Sequence, residues 1–142
     1  MKISARNVFK GKITALVDGA VNAEVELTTA GKEKIVAIVT EGSVKSLGLA
    51  VGKEAVAYVK APWVMLLTGE PNVRFSARNQ LAGKVKTLDK GAINSEVGIE
   101  LSGGTMVYSV ITNDAVVELG LKVGSTATAL IKASNVILGV PA

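Results

Sequence analysis

The sequence contains no cysteine and no histidine. That excludes disulfides, thiolate and imidazole metal ligands, cysteine nucleophiles and every triad that depends on a histidine base, so neither a cation site nor a redox site is expected. Aromatic residues are scarce: one Trp, two Tyr and two Phe are too few to build a platform on which successive nucleic-acid bases stack, and no nucleic-acid partner is expected. No apolar run approaches the roughly 18 to 20 residues of a membrane-spanning helix, because charges, glycine or proline break each stretch. Met1-Lys2-Ile3-Ser4-Ala5-Arg6 is not followed by an apolar segment or a small-residue cleavage site, so a cytoplasmic protein, free of membrane, is expected. Sixteen Lys and Arg against 12 Asp and Glu give a formal charge of +4, which favours anionic partners without choosing among them.

What the chain does have is apolar material and a repeat. Hydrophobic residues make up 49% of it and charged residues 20%, enough to form a core. Ser4-Ala5-Arg6-Asn7 returns as Ser76-Ala77-Arg78-Asn79, and the offset of 72 holds without a gap through Gly11/Gly83, Gly19/Gly91, Asn22/Asn94, Glu24/Glu96, Thr40/Thr112 and Lys60/Lys132. About 26 of about 64 aligned positions are identical, far above chance for a fixed register. The chain reads as a tandem duplication, with one domain over residues 1–68, a connection over 69–73 and a second domain over 74–142.

Within the first copy, Val21, Ala23, Val25 and Leu27 alternate with Asn22, Glu24 and Glu26, the period of a half-buried strand. Further strands are expected at residues 13–17, 35–39, 55–59 and 64–67, each rich in β-branched or aliphatic residues, with Asp18-Gly19 as a hairpin signal. Residues 41–49 lack alternation and end in Leu47-Gly48-Leu49, which suits one or two helical turns stopped by glycine, repeated over residues 113–121. The expectation is an all-β protein made of tandem OB-like five-stranded antiparallel barrels, each with a short helical turn. Each barrel is thinly cored, so the copies should share strands or pack tightly, and several chains should associate.

Three segments resemble the molybdate-binding Mop (TOBE) domain of molbindins and of molybdate-responsive regulators: Ser4-Ala5-Arg6-Asn7, Gly19-Ala20-Val21-Asn22-Ala23-Glu24-Val25 and Lys60-Ala61-Pro62-Trp63-Val64. Their order and spacing recur in the second copy and cover nearly the whole chain, which looks like a two-repeat molbindin. The resemblance implies a homotrimer that binds molybdate or tungstate in the cytoplasm for storage and homeostasis, with no other cofactor and no catalysis. The family's regulators carry a DNA-binding segment ahead of the Mop pair; the repeats here leave no room for one, so direct transcriptional control is not expected.

The resemblance also implies the sites. Intersubunit oxyanion sites would draw on Ser4, Ala5, Arg6, Lys60 and Ala61 of one subunit and on Thr40 and Ser43 of its neighbour. In the second copy the same sites fall on Ser76, Ala77, Arg78, Lys132, Ala133 and Thr112, with Ser134 as an addition. Sites on the threefold axis would be lined by Ala20, Val21 and Asn22, and by Ala92, Ile93 and Asn94. The chemistry suits a tetrahedral dianion, which needs converging O–H and N–H donors and few carboxylates.

Each residue also has an ordinary alternative. Ser4 and Arg6 suit a strand edge with a surface ion pair. Thr40 and Ser43 suit a helix cap. Lys60 suits a solvated strand end, and Asn22 and Asn94 suit local turn geometry. Glu24 and Glu96 are expected to face solvent or pair with a lysine, and Trp63 to pack. The copies differ at Ser43/Ala115, Pro62/Ser134 and Trp63/Asn135, so the two interface sites should differ. A hydrolase using Asp18 and Glu24 has only the presence of those carboxylates in its favour, and they would repel the anion that the other residues attract.

Overall fold

A computed structural model describes all 142 residues. In chain order the first copy holds β1 (Asn7–Asp18), β2 (Asn22–Thr29), β3 (Lys34–Thr40), α1 (Glu41–Leu47), β4 (Glu54–Val59), a 3-10 turn (Ala61–Trp63) and β5 (Met65–Leu67). The second holds β6 (Asn79–Lys90), β7 (Asn94–Leu101), β8 (Met106–Thr112), α2 (Asn113–Glu118), β9 (Thr126–Ile131), a 3-10 turn (Ala133–Asn135) and β10 (Ile137–Gly139). No helix is long and apolar enough to cross a membrane.

Two five-stranded antiparallel sheets result, and each borrows one strand from the other repeat. Their orders are β10-β4-β1-β2-β3 and β5-β9-β6-β7-β8. Ile137, Leu138 and Gly139 pair with Tyr58, Ala57 and Val56 of the first repeat. Met65, Leu66 and Leu67 pair with Leu130, Ala129 and Thr128 of the second. The fifth strands are therefore exchanged, so the folded units cross the sequence repeat at its last strand. This is the strand sharing that a thin core demands: Phe9, Ile13, Val25 and Leu27 join Val97, Ile99, Val107 and Ile131 in one continuous buried cluster.

The long first strand of each repeat serves both neighbours because it is bulged. The β1–β2 register shifts between Ile13 and Ala15, and the β6–β7 register between Val85 and Thr87. The extra residue raises the local twist, which lets one strand curl around a small barrel. Gly11 sits where this curl presses strands together, since a Cβ there would lie 2.2 Å from the Thr28 carbonyl oxygen. β1 starts at Asn7, six residues before the alternation at Ile13 became legible in sequence.

α1 is stopped as its glycine indicates. Gly48 is left-handed at φ 62, and the Gly48 and Leu49 N–H groups donate back to Lys45 and Val44, which closes the helix end.

Candidate functional site

Strand register brings the first two candidate segments together. Asn7 pairs with Val59 at the end of the β1–β4 ladder, so residues 4–6 and Lys60-Ala61 leave the sheet side by side. Asn79 and Ile131 do the same for residues 76–78 and Lys132-Ala133. Lys60 and Lys132 are exposed, while Ala61 and Ala133 are buried. The 3-10 turns that follow are closed by Trp63 and Asn135 N–H groups donating to the Lys60 and Lys132 carbonyls at 3.0 Å.

The Ser-Ala-Arg-Asn motif divides its work. Asn7 is buried; its Nδ2 donates to the Tyr108 carbonyl at 2.8 Å and its Oδ1 accepts the Tyr108 N–H at 2.7 Å. Asn79 clamps Val36 with the same pair of bonds, at 2.8 and 2.7 Å. Each Asn thus saturates a backbone edge of the other repeat. Sequence reasoning gave Asn7 and Asn79 no role of their own; their recurrence in the repeat was the only signal.

The arginine side chains also bind across the repeats. Arg6 Nε and Nη2 donate to Glu96 at 3.1 to 3.2 Å, and the guanidinium lies 3.7 Å from the Tyr108 ring centre. Arg78 pairs with Glu24 at 2.6 to 2.7 Å. The bond to Glu96 raises the Arg6 pKa above its ordinary value, and the bond to Glu24 does the same for Arg78. Glu24 and Glu96 stay partly exposed, and each pairs with an arginine of the opposite repeat and not with a lysine. What the motif leaves unbonded within the chain is the hydroxyl of Ser4 and Ser76 and the N–H groups of Ala5, Arg6, Ala77 and Arg78.

Thr40 and Thr112 are helix caps, accepting the Ser43 and Ala115 N–H groups at 3.1 Å. Thr40 also donates its hydroxyl to Ser43 Oγ at 2.9 Å, which leaves the Ser43 proton without an acceptor in the chain. Capping uses the Thr40 oxygen lone pairs and the bond to Ser43 uses its single proton, so the hydroxyl proton left over at this helix start is that of Ser43.

Two concavities collect part of this set, and Ser4, Ala5, Arg6, Lys60, Ala61 and Thr112 line neither of them. One, of about 330 Å³, is lined by Ser76, Ala77, Arg78, Lys132, Ala133 and Ser134, with Trp63 and Met65 of the first repeat at its border. The other, of about 320 Å³, is lined by Asn22, Thr40 and Ser43 of the first repeat and Ser134 of the second. Ser134 belongs to both. Trp63, expected to pack, is 41% exposed and borders the first concavity. Larger hollows of about 480 and 740 Å³ lie at equivalent places on the two barrels, beside Gly83 and Gly11, and hold none of the candidate residues.

Ala20, Val21 and Asn22, and their counterparts Ala92, Ile93 and Asn94, form exposed hairpin tips. The Glu41 N–H donates to the Val21 carbonyl at 2.9 Å, and the Asn113 N–H to the Ile93 carbonyl at 2.8 Å, fixing each tip against a helix start. Val21 and Ile93 are 73% and 75% exposed.

Fold and site define a class: duplicated five-stranded barrels of the OB kind, joined by strand exchange, with hydroxyl, amide and lysine donors gathered where the repeats meet. The chain belongs to the TOBE domain family, whose model matches residues 3–66 and 76–138. It is similar to the crystal structure of the cytoplasmic molybdate-binding protein ModG with molybdate bound, at 60% identity and a TM-score of 0.95, covering 99% of this chain and 100% of that one. It is 44% identical over 140 residues to the molybdenum transport protein ModE of Azotobacter vinelandii. It is 42% identical over 141 residues to the molybdenum-pterin-binding protein MopA of Rhodobacter capsulatus. Each alignment covers 99% of this chain but 52% and 53% of the relative, so the chain spans about half the length of these curated relatives.

Proposed function

We propose that this protein binds molybdate and tungstate in the cytoplasm as intact tetrahedral oxyanions, for storage and homeostasis, with no chemical step. The observation that carries this reading is its full-length similarity to the molybdate-bound ModG structure. The donor chemistry supports it. Residues 4–6 with Lys60 and Ala61, and residues 76–78 with Lys132, Ala133 and Ser134, offer hydroxyls, free backbone N–H groups and one ammonium each, while the neighbouring carboxylates of Glu24 and Glu96 are neutralised by arginine. Such a set holds a dianion and offers no general base of the kind that hydrolysis needs.

The working unit is a homotrimer. Its support is the pattern of exposed apolar residues, which recur at equivalent positions of the two repeats: Val21 and Ile93, Val51 and Val123, Met65 and Ile137 are all between 58% and 75% exposed. Duplicated apolar surface marks a surface that is covered on assembly. Thr40 and Ser43, or Thr112, of a neighbouring subunit complete the interface sites, and Ala20, Val21 and Asn22, with Ala92, Ile93 and Asn94, surround oxyanions on the threefold axis.

Equilibrium dialysis against molybdate tests the assignment. Lys60→Ala and Thr40→Ala are each expected to weaken binding by about 1.5–3 kcal/mol, the range for hydrogen bonds to a charged group, with the sedimentation coefficient of the trimer unchanged. Unaltered affinity in both variants overturns the interface sites as assigned, and a monomer in sedimentation overturns the assembly.

A further inference from the structure

We infer that the contact between two β-hairpin tips, one from each repeat, is a site for a monovalent hard cation, sodium or potassium. This site is independent of the oxyanion reading. The tips are residues 30–33, between β2 and β3, and residues 102–105, between β7 and β8. The eight residues of β2, roughly 26 Å of strand, separate the first of them from Ala20 and Val21 at the other end.

The duplication sets equivalent positions against each other. Gly31 and Gly103 are 72 residues apart, as are Glu33 and Thr105. A Cβ on Gly31 would lie 2.6 and 2.7 Å from the two Glu33 carboxylate oxygens and 2.8 Å from the Gly103 carbonyl oxygen. A Cβ on Gly103 would meet Glu33 Oε2 and the Gly31 carbonyl oxygen. The carboxylate and both glycine carbonyls are therefore crowded into one place, which only residues without a side chain allow.

Acceptors outnumber donors there. Glu33 Oε1 accepts the Thr29 hydroxyl at 3.1 Å and also the Thr105 hydroxyl. Glu33 Oε2 and the Gly31 and Gly103 carbonyls accept nothing from the chain. No side-chain cation neutralises Glu33 either. The ion pairs of the chain are Arg6 with Glu96, Lys34 with Glu26, Arg78 with Glu24 and Lys86 with Glu100. Three oxygens with unused lone pairs and one negative charge, half-buried and close together, repel one another unless a positive charge sits among them.

Ligands that are all oxygen select a hard cation. The absence of cysteine and histidine removes softer ligands and leaves this class open. Charge selects the valence: one carboxylate balances one positive charge, and a divalent ion leaves a surplus beside Lys32 and Lys34. Backbone carbonyls readily replace the water shell of an alkali ion, whereas magnesium keeps its water and demands octahedral geometry. The bound ion ties the β2–β3 tip of one repeat to the β7–β8 tip of the other, a join separate from the strand exchange.

Thermal unfolding of the full-length protein in sodium, potassium and choline chloride at equal ionic strength tests this, because choline screens charge but is too large to enter. At an alkali concentration of about ten times Kd, the melting temperature is expected to rise by about 3–8 °C over its value in choline. Glu33→Gln is expected to lose that difference. Broadening of the sodium NMR resonance by the wild type, reversed by potassium, reads the same site without a variant. Equal melting in all three salts, with no sodium broadening, overturns the site. A rise that survives in Glu33→Gln overturns its assignment to these tips, and a rise given by calcium chloride but by neither alkali salt overturns the monovalent assignment.

Discussion

Deleting residues 137–142 is expected to open the barrel of the first repeat, although none of those residues belongs to it in sequence. β10 covers the β4 edge through Ile137, Leu138 and Gly139, and it also lies beside β3 at the other end of that sheet. Leu138 is 8% exposed and part of the shared core. Loss of a buried leucine alone costs about 2–5 kcal/mol. The newly open edge of β4 adds unpaired backbone groups, so the total takes a large share of the roughly 5–15 kcal/mol that holds a domain together. Hydrogen exchange read by mass spectrometry checks it. Protection should collapse in β4 and the first half of β1, with less change in β6 and β7. Loss confined to the second repeat would contradict the exchange.

Asn79→Ala is expected to destabilise the protein by about 3–5 kcal/mol, more than any single surface charge. The Asn79 amide makes both of its short bonds to Val36 and a third, at 3.3 Å, to the Ile131 carbonyl. Removing it strands the N–H and carbonyl of a Val36 that is 8% exposed, and each unsatisfied buried group costs about 1–3 kcal/mol. Arg78→Ala, one residue away, removes a solvent-screened ion pair and should leave stability nearly unchanged. Urea denaturation of the two variants side by side gives the comparison. Equal midpoints would mean that the clamp does not hold the repeats together.

Much of the fold was legible because it repeats. A fixed offset of 72 exposed the duplication, and alternation from Val21 to Leu27 marked a strand whose inward residues, Ala23, Val25 and Leu27, are all buried. Gly48 announced the end of α1. The partner of β4 was not legible. Met65–Leu67 and Ile137–Gly139 are both short, apolar and preceded by the same kind of turn, so local sequence does not say which of them closes a given barrel.

The candidate site was legible as a set of segments and less so as a set of roles. Arg6 and Asn7 are polar residues in a motif that resembles a ligand site, yet their side chains hold the two repeats together, and only the tertiary placement of Glu96 and Tyr108 reveals it. Glu24 was read as a solvent-facing or lysine-paired carboxylate because its partner, Arg78, lies 54 residues away in sequence. Trp63 was read as a packing residue because large aromatics usually are; its 3-10 turn instead leaves it half-exposed against the second repeat. Thr40 suits both a cap and an oxyanion donor in sequence; the cap is formed, and the Thr40 proton goes to Ser43 Oγ.

The measurement that bears most directly on the central claim is a calorimetric titration of anion-free protein with molybdate, run beside tungstate, sulfate and phosphate. Saturable binding of molybdate and tungstate at more than one anion per chain, with much weaker responses to sulfate and phosphate, is the expected result. Equal or absent responses to all four anions would contradict it.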